Sequence, residues 1–305
     1  MTQVRLSDLG EFGLIDKIAK LLGPQPGVLT SIGDDTAVLT SPAGKDERLL
    51  FTTDMLVEGV HFTREDDARL IGRKALGCNI SDIAAMGGVP GYAVVSLGLP
   101  PELDVDFVED LYAGMKKIAG EFKVAIAGGD TVRSEKIVIN VALLGEARKD
   151  DIVLRSGARP GDRIFVTGPL GQSLKTGHHL SFTPRIEESR YLVRNFKPAA
   201  MIDISDGLAA DLGHILEQSA AGAVLYADQI PFVFGAKLKN ALYDGEDYEL
   251  LFTLPAAKAR KLMSSKKNTG RFHHIGDIVA GKPVIRMIDE DGREEEIRGG
   301  GFKHF

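Results

Sequence analysis

Residues 92–130, "YAVVSLGLPPELDVDFVEDLYAGMKKIAGEFKVAIAGGD", hold two kinds of hydrophobic spacing in one span. Short apolar runs open and close the stretch, and between them Phe107, Leu111, Met115, Ile118 and Phe122 recur at helical spacing over Val105–Phe122. Strand, helix, strand in that order favours an α/β or α+β domain. The alternation continues outward on both sides. "RLLFTTDML" (48–56) reads as a strand, a helix runs from Asp67 to Met86 and stops at Gly87-Gly88, and "KIVINVALLGEA" (136–147) adds another strand. Nearer the start, Leu9, Phe12, Ile15, Ala19 and Leu22 predict a helix over Ser7–Leu22, ended by "GPQPG".

The texture changes at "RSGARPGDRIFVTGPLG" (155–171), where Gly157, Pro160 and Gly161 form a turn ahead of a strand. A domain boundary near residue 150 follows, giving domains 1–150 and 151–305. The second half offers a helix over Gly207–Ser219, strands at "AVLYA", "YELLFTL" and "PVIRMI", and a turn at "DEDG" (289–292). An Asp-terminated apolar strand leading into a helix occurs in each half, compatible with a distant duplication.

At 305 residues, 44% apolar and 26% charged, the chain is long enough for two ordinary cores. A net charge of −6 argues against a nucleic-acid backbone as partner. The densest basic stretch, Lys258 to Lys267, reads as the solvated end of a surface helix and its exit loop. Cys78 is the single cysteine and excludes an internal disulfide, which suits a reducing compartment; its apolar helical setting places it in a core. The opening residues lack the basic start and apolar stretch of a secretion signal, and no apolar run is long enough to span a bilayer. The expectation is a soluble, cytoplasmic protein with no membrane or nucleic-acid partner.

The acids carry the chemistry. In order they are "SIGDDTAV" (Asp34, Asp35), "FTTDML" (Asp54), "NISDIAAMGG" (Asp82), "AIAGGDTVR" (Asp130) and "MIDISDGL" (Asp203, Asp206), most of them at the ends of apolar strands. Strand ends converge on one sheet edge, so such acids meet in a cleft, where mutual repulsion calls for cations. Carboxylates joined by the hydroxyls of Thr52 and Thr53, with no Cys or His cluster, suit Mg²⁺ better than Zn²⁺. Magnesium on a few carboxylates usually shares its shell with a substrate's phosphates, which makes a nucleotide the natural guest. Neither GxxxxGK[ST] nor GxGxxG is present, which excludes the usual phosphate loop and dinucleotide turn. "DISDGLAADLGH" fails as a calcium loop, with glycine at the fifth position and His214 at the twelfth.

Any one of these aspartates has a plain reading as a cap or turn. Asp34 fits that reading best. Asp82 fits it least, because an apolar helical stretch would bury its charge; Asn79, three residues earlier, shares its helix face.

Across nearly its whole length the sequence resembles the thiamine-monophosphate kinases. These belong to a superfamily with aminoimidazole ribonucleotide synthetase and selenophosphate synthetase. The resemblance is carried in order by "GEFGLI", "SIGDDTAV", "TTDMLVEGVHF", "KALGCNISDIAAMGG", "AGGDTVR", "RSGARPGDRIFVTG", "IDISDGLAADLGHI", "GEDYELLF" and "GGFKHF". It implies a two-domain PurM-like fold: an N-terminal ATP- and Mg-binding domain that builds a β-barrel across a homodimer interface, and a C-terminal α+β domain completing the sites. It implies Mg²⁺ on Asp35, Asp54, Asp82, Asp130, Asp203 and Asp206 with hydroxyls at Thr52 and Thr53. ATP would lie against Tyr112, Gly129, Asp130, Arg155 and Ser205, and thiamine monophosphate against His61, Glu246 and Phe302. Asp54, Asp130 and Asp206 would be the catalytic acids. Asp244 stands where the family usually has glycine, and the segment before "PRIEESR" is short.

The implied reaction is ATP-dependent phosphorylation of thiamine monophosphate to thiamine diphosphate. The attacking phosphate oxygen is already anionic, so no general base is required. The competing readings are another ATP-dependent synthetase of the superfamily and a non-catalytic nucleotide-binding module.

Overall fold

The computed structural model describes residues 6–265, 268, 270–297 and 300–301. Strands β1 (Val28–Thr30), β2 (Ala37–Thr40), β3 (Glu47–Val57), β4 (Val89–Leu99), β5 (Ala125–Arg133) and β6 (Val138–Arg148) form one sheet in the order β1-β2-β3-β6-β4-β5. Only β4 and β5 are parallel, joined by the helix of the opening stretch, so the sheet is mixed. Helices α1 (Leu6–Leu22), α2 (Ala68–Ala85) and α3 (Val105–Phe122) complete this half. The last has the bounds that its apolar spacing predicts. The first is broken at Gly10, whose φ of 71° interrupts the predicted helix.

A second sheet, ordered β13-β12-β9-β11-β7-β10-β8, lies in the later half of the chain. Its strands are β7 (Asp162–Val166), β8 (Ala200–Asp203), β9 (Gly222–Tyr226), β10 (Leu250–Pro255), β11 (His273–Val279), β12 (Ile285–Ile288) and β13 (Glu294–Ile297). Helices here are α4 (Ser173–Thr176), α5 (His178–Ser181), α6 (Ile186–Asn195), α7 (Leu208–Ser219), α8 (Leu238–Tyr243) and α9 (Ala256–Met263). The "DEDG" turn joins β12 to β13, with Asp289 accepting from the N–H groups of Asp291 and Arg293. The mixed α/β class with two sheets is as expected. Neither sheet closes into a barrel among the described residues; β1 and β5 are the free edges of the first.

Sequence reasoning missed β1, β2 and β11. The first two are short, and β11, "HHIGDIV", mixes polar residues into its apolar pattern and carries a bulge between His274 and Gly276, so its alternation is broken. No helix among the described residues is long and apolar enough to cross a membrane.

What positions the site is α2. It packs on β3 and β6 of the first sheet, touches β8 of the second, and crosses α3. At that crossing the backbones meet: a Cβ on Gly72 would lie 1.9 Å from Leu111 O, and one on Gly114 1.8 Å from Arg69 O. Glycine is required at both. The opposite face of the first sheet is open, with Phe51, Met55, Tyr92 and Val94 at 46%, 56%, 63% and 45% exposure.

Candidate active site

A cleft of about 350 Å³ lies where α2, β3, the β8–α7 turn and the loop before β10 meet. Its walls include Asp54, His61, Cys78, Asp82, Asp203, Ser205, Asp206, Glu246 and Tyr248. Strand alternation explains β3: Thr52 and Asp54 share one face, and Thr52 Oγ1 donates to Asp82 Oδ2 at 2.5 Å. Thr53 borders the cleft, but its hydroxyl bonds Asn140 Oδ1 and Val141 O, each at 3.1 Å.

Asp35, Asp82 and Asp203 bring carboxylate oxygens within 4.8 Å of one another. Asp203 is also held by Ser81 Oγ at 2.6 Å. Burial shifts every one of these carboxyls upward, and neighbouring acids add to it at Asp54, Asp82 and Asp203: Asp54 goes to about 6 with Asp35 beside it, and Asp203 to about 7. Asp82 is raised by burial and then by Asp54, Asp203 and Asp35. Asp35 is raised by burial against the opposing pull of Arg155, whose Nη2 sits 2.6 Å from its Oδ1.

Magnesium fits this donor set. The donors are all oxygens, the charge is densely negative, and Asp35 Oδ2 and Asp54 Oδ2 are buried without a hydrogen-bond partner. Asp206 belongs to a second group with Asp211 and His214. There Asp211 accepts the N–H groups of Asp206 and Gly207 at 3.1 Å, fixing the turn. Asp34 has the structural role foreseen for it: its carboxylate accepts the N–H groups of Asp35 and Arg155.

Other sequence candidates fall elsewhere. Gly129 and Asp130 stand exposed on the edge strand β5, outside both carboxylate groups, with Asp130 Oδ1 accepting Thr131 N at 2.8 Å. Tyr112 on α3 is half-buried against the first core. Phe302 lies outside the described residues. Most of the acids do not sit at strand ends as expected: Asp54 and Asp130 are inside strands and Asp82 is inside α2, while Asp203 ends β8. A mid-strand residue reaches a cleft on its own face as well as a terminal one does. Asn79 is fully buried, bonded to Ala75 O, and its Oδ1 is unpartnered.

The other end of the cleft is built differently. His61 Nδ1 accepts Val57 N at 3.0 Å, which leaves Nε2 as the protonated nitrogen of the neutral ring. Glu246 and Tyr248 have φ of 57° and 51°, conformations that cost a non-glycine residue ~1–3 kcal/mol each. Backbone bonds from Glu246 N to Ser205 O (2.7 Å) and Tyr248 N to Ile204 O (2.8 Å) hold them. Gly245 turns the chain at φ 71°, whereas Asp244 is helical at φ −70°, so the position that departs from the family's glycine is not strained. Behind Glu246 lies Lys74, a residue sequence reasoning passed over, paired with the carboxylate and wholly buried.

Residues 33–147 match the family model described as AIR synthase related protein, N-terminal domain. The thiamine-monophosphate kinase of Aquifex aeolicus is 37% identical, over 99% of this chain and 100% of that protein. That of Bacillus subtilis is 35% identical, over 81% and 84%. The solved structure of AaThiL complexed with AMPPCP and TMP superposes with a TM-score of 0.87 at 35% identity, covering 100% of both chains.

Proposed function

The chain belongs to the thiamine-monophosphate kinase family, and we propose here how its cleft carries that family's reaction. The protein is a phosphotransferase: it phosphorylates thiamine monophosphate with ATP, giving thiamine diphosphate. The acceptor arrives as an anion, so the chain has no proton to remove. What opposes reaction is the approach of two phosphates, each pair of unit charges repelling by ~4 kcal/mol at ~4 Å and an effective dielectric near ~20.

Asp35, Asp54, Asp82, Asp203 and Asp206, with Thr52 and Thr53 beside them, are the residues we assign to several Mg²⁺ ions. Bound there, the ions would screen the phosphates from one another and stabilise charge during transfer. The supporting observation is the gathering of the Asp35, Asp82 and Asp203 carboxylates, with Asp35 Oδ2 and Asp54 Oδ2 buried and partnerless, a costly arrangement in a protein that never meets a cation. We assign Gly129, Asp130, Ser205, Arg155 and Tyr112 to the nucleotide. Gly129 and Asp130 are exposed, so a phosphate would reach them without displacing protein, and Arg155 would exchange Asp35 for a phosphate. His61 and Glu246 are assigned to the acceptor, His61 donating through Nε2, and Phe302 is kept there on the family pattern. Asp54, Asp130 and Asp206 we take as the acids closest to the transfer.

The domains are assigned as 1–150 for ATP, Mg²⁺ and dimerisation and 151–305 for completing the sites. We also propose a homodimer in which the first sheet and its partner's close a β-barrel. The open face bearing Phe51, Met55, Tyr92 and Val94, and the free edge of β5, support this reading. Incubation with ATP, Mg²⁺ and thiamine monophosphate tests the function: thiamine diphosphate accumulates, and its absence would overturn the assignment.

A further inference from the structure

Lys74 has no exposed surface, which is rare for a lysine and costly unless its charge is fully partnered. Two partners are present. Its Nζ donates to Glu246 Oε2 and, at 3.0 Å, to the backbone carbonyl of His61. These are the two described residues assigned above to the acceptor, and they come from opposite halves of the chain. Glu246 and His61 line the cleft, while Lys74 stands behind the wall and does not.

The placement belongs to one helix face. Lys74, Cys78 and Asp82 succeed one another at four-residue intervals on α2, so they form a row. Asp82 joins the carboxylate group. Cys78 Sγ donates to the Tyr248 hydroxyl at 3.1 Å, and Lys74 takes Glu246. The same row therefore fastens both non-glycine residues of the loop that have left-handed backbones. Fastened by Oε2, Glu246 has its second oxygen left to offer a ligand, and the pair with Lys74 carries no net charge. Recognition at this end then depends on one well-placed acceptor oxygen more than on raw attraction for a cation.

We propose that Lys74 is a positioning residue of the acceptor subsite: it sets the aim of Glu246 and the turn at His61, and so the affinity for thiamine monophosphate. The proposal rests on the assignment of Glu246 to the acceptor. Steady-state kinetics with the full-length protein test it, using Lys74→Met, Lys74→Gln, Glu246→Gln and the double variant Lys74→Met/Glu246→Gln. Lys74→Met should raise KM for thiamine monophosphate about tenfold or more, the effect of losing one charge-assisted contact, with KM for ATP unchanged. Lys74→Gln, which keeps an N–H donor group but not the charge, should recover part of that loss. In the Glu246→Gln background, Lys74→Met should add less than about threefold, since residues acting through one another are not additive. If Lys74→Met does not fold, the double variant removes the uncompensated carboxylate, and Lys74→Gln is read by the same KM comparison.

Equal effects of Lys74→Met in both backgrounds, a matching rise in KM for ATP, or wild-type kinetics in Lys74→Gln would each overturn the proposal. A Glu246→Gln variant with unchanged KM for thiamine monophosphate would instead remove the assignment beneath it.

Discussion

Asp54 lies inside β3 with Oδ2 buried and unpartnered, and burial with Asp35 nearby holds its carboxyl up to about 6. Asp54→Asn should therefore separate activity from folding. Turnover to thiamine diphosphate should fall by on the order of 10²–10³-fold, a typical loss for one group that stabilises transition-state charge. The melting temperature without divalent ions should stay level or rise, because a buried charge is gone. A second residue-scale case is Asp247, 2% exposed and bonded to Gly171 N and Ser173 Oγ, which burial raises from 3.8 to about 7. A raised carboxyl means the folded state binds the extra proton, so this group's contribution to stability is full below pH ~4 and is lost as pH climbs toward ~7. The displacement corresponds to ~4 kcal/mol. Asp247→Asn should flatten that fall, with denaturation midpoints near wild type at pH 4 and increasingly above wild type from there to pH 8.

At the scale of elements, α2 and α3 test the packing that places the site. Gly114→Ala puts a Cβ into the backbone of Arg69 and should cost ~1–3 kcal/mol or more in denaturant titration. Gly120, on the same helix, has nothing within 4 Å of a built Cβ. Gly120→Ala should stabilise by ~0.5–1 kcal/mol, from helix propensity alone. The contrast separates close approach from composition. The apolar spacing in Val105–Phe122 revealed α3 because its residues repeat on one amphipathic face. It did not reveal that α3 and α2 touch at two glycines, since a glycine inside a helix looks the same in sequence whether it faces solvent or another backbone.

For the whole molecule, the cation site proposed above would draw Asp35, Asp54 and Asp82 from the first half of the chain and Asp203, with Asp206 of the neighbouring acid group, from the second. Mg²⁺ should bind the folded chain and not the unfolded one. At ~100 times its Kd it should add ~2.7 kcal/mol, read as a rise in melting temperature at pH 7.5 that Asp203→Asn largely abolishes. The open face of the first sheet makes a separate prediction. Tyr92→Lys, placed on that face, should shift sedimentation from dimer to monomer with the secondary structure intact; an unchanged sedimentation coefficient would count against the barrel across the interface.

Asp82 was recognisable in sequence because a carboxylate inside an apolar helix needs a reason to be there. Asp203 was recognisable because an apolar run delivers it to a turn. Local pattern therefore determined the alternating elements, the α/β class and most of the acid set, each of which depends on neighbours a few residues away. Lys74 was invisible: on a helix a lysine reads as solvated, and the partner that buries it lies 172 residues further on. The same holds for the pairing of Arg155 with Asp35 and for β5 as a free edge. Only the tertiary structure decided these, because burial and charge pairing are properties of what the folded chain brings together, and no local periodicity encodes them.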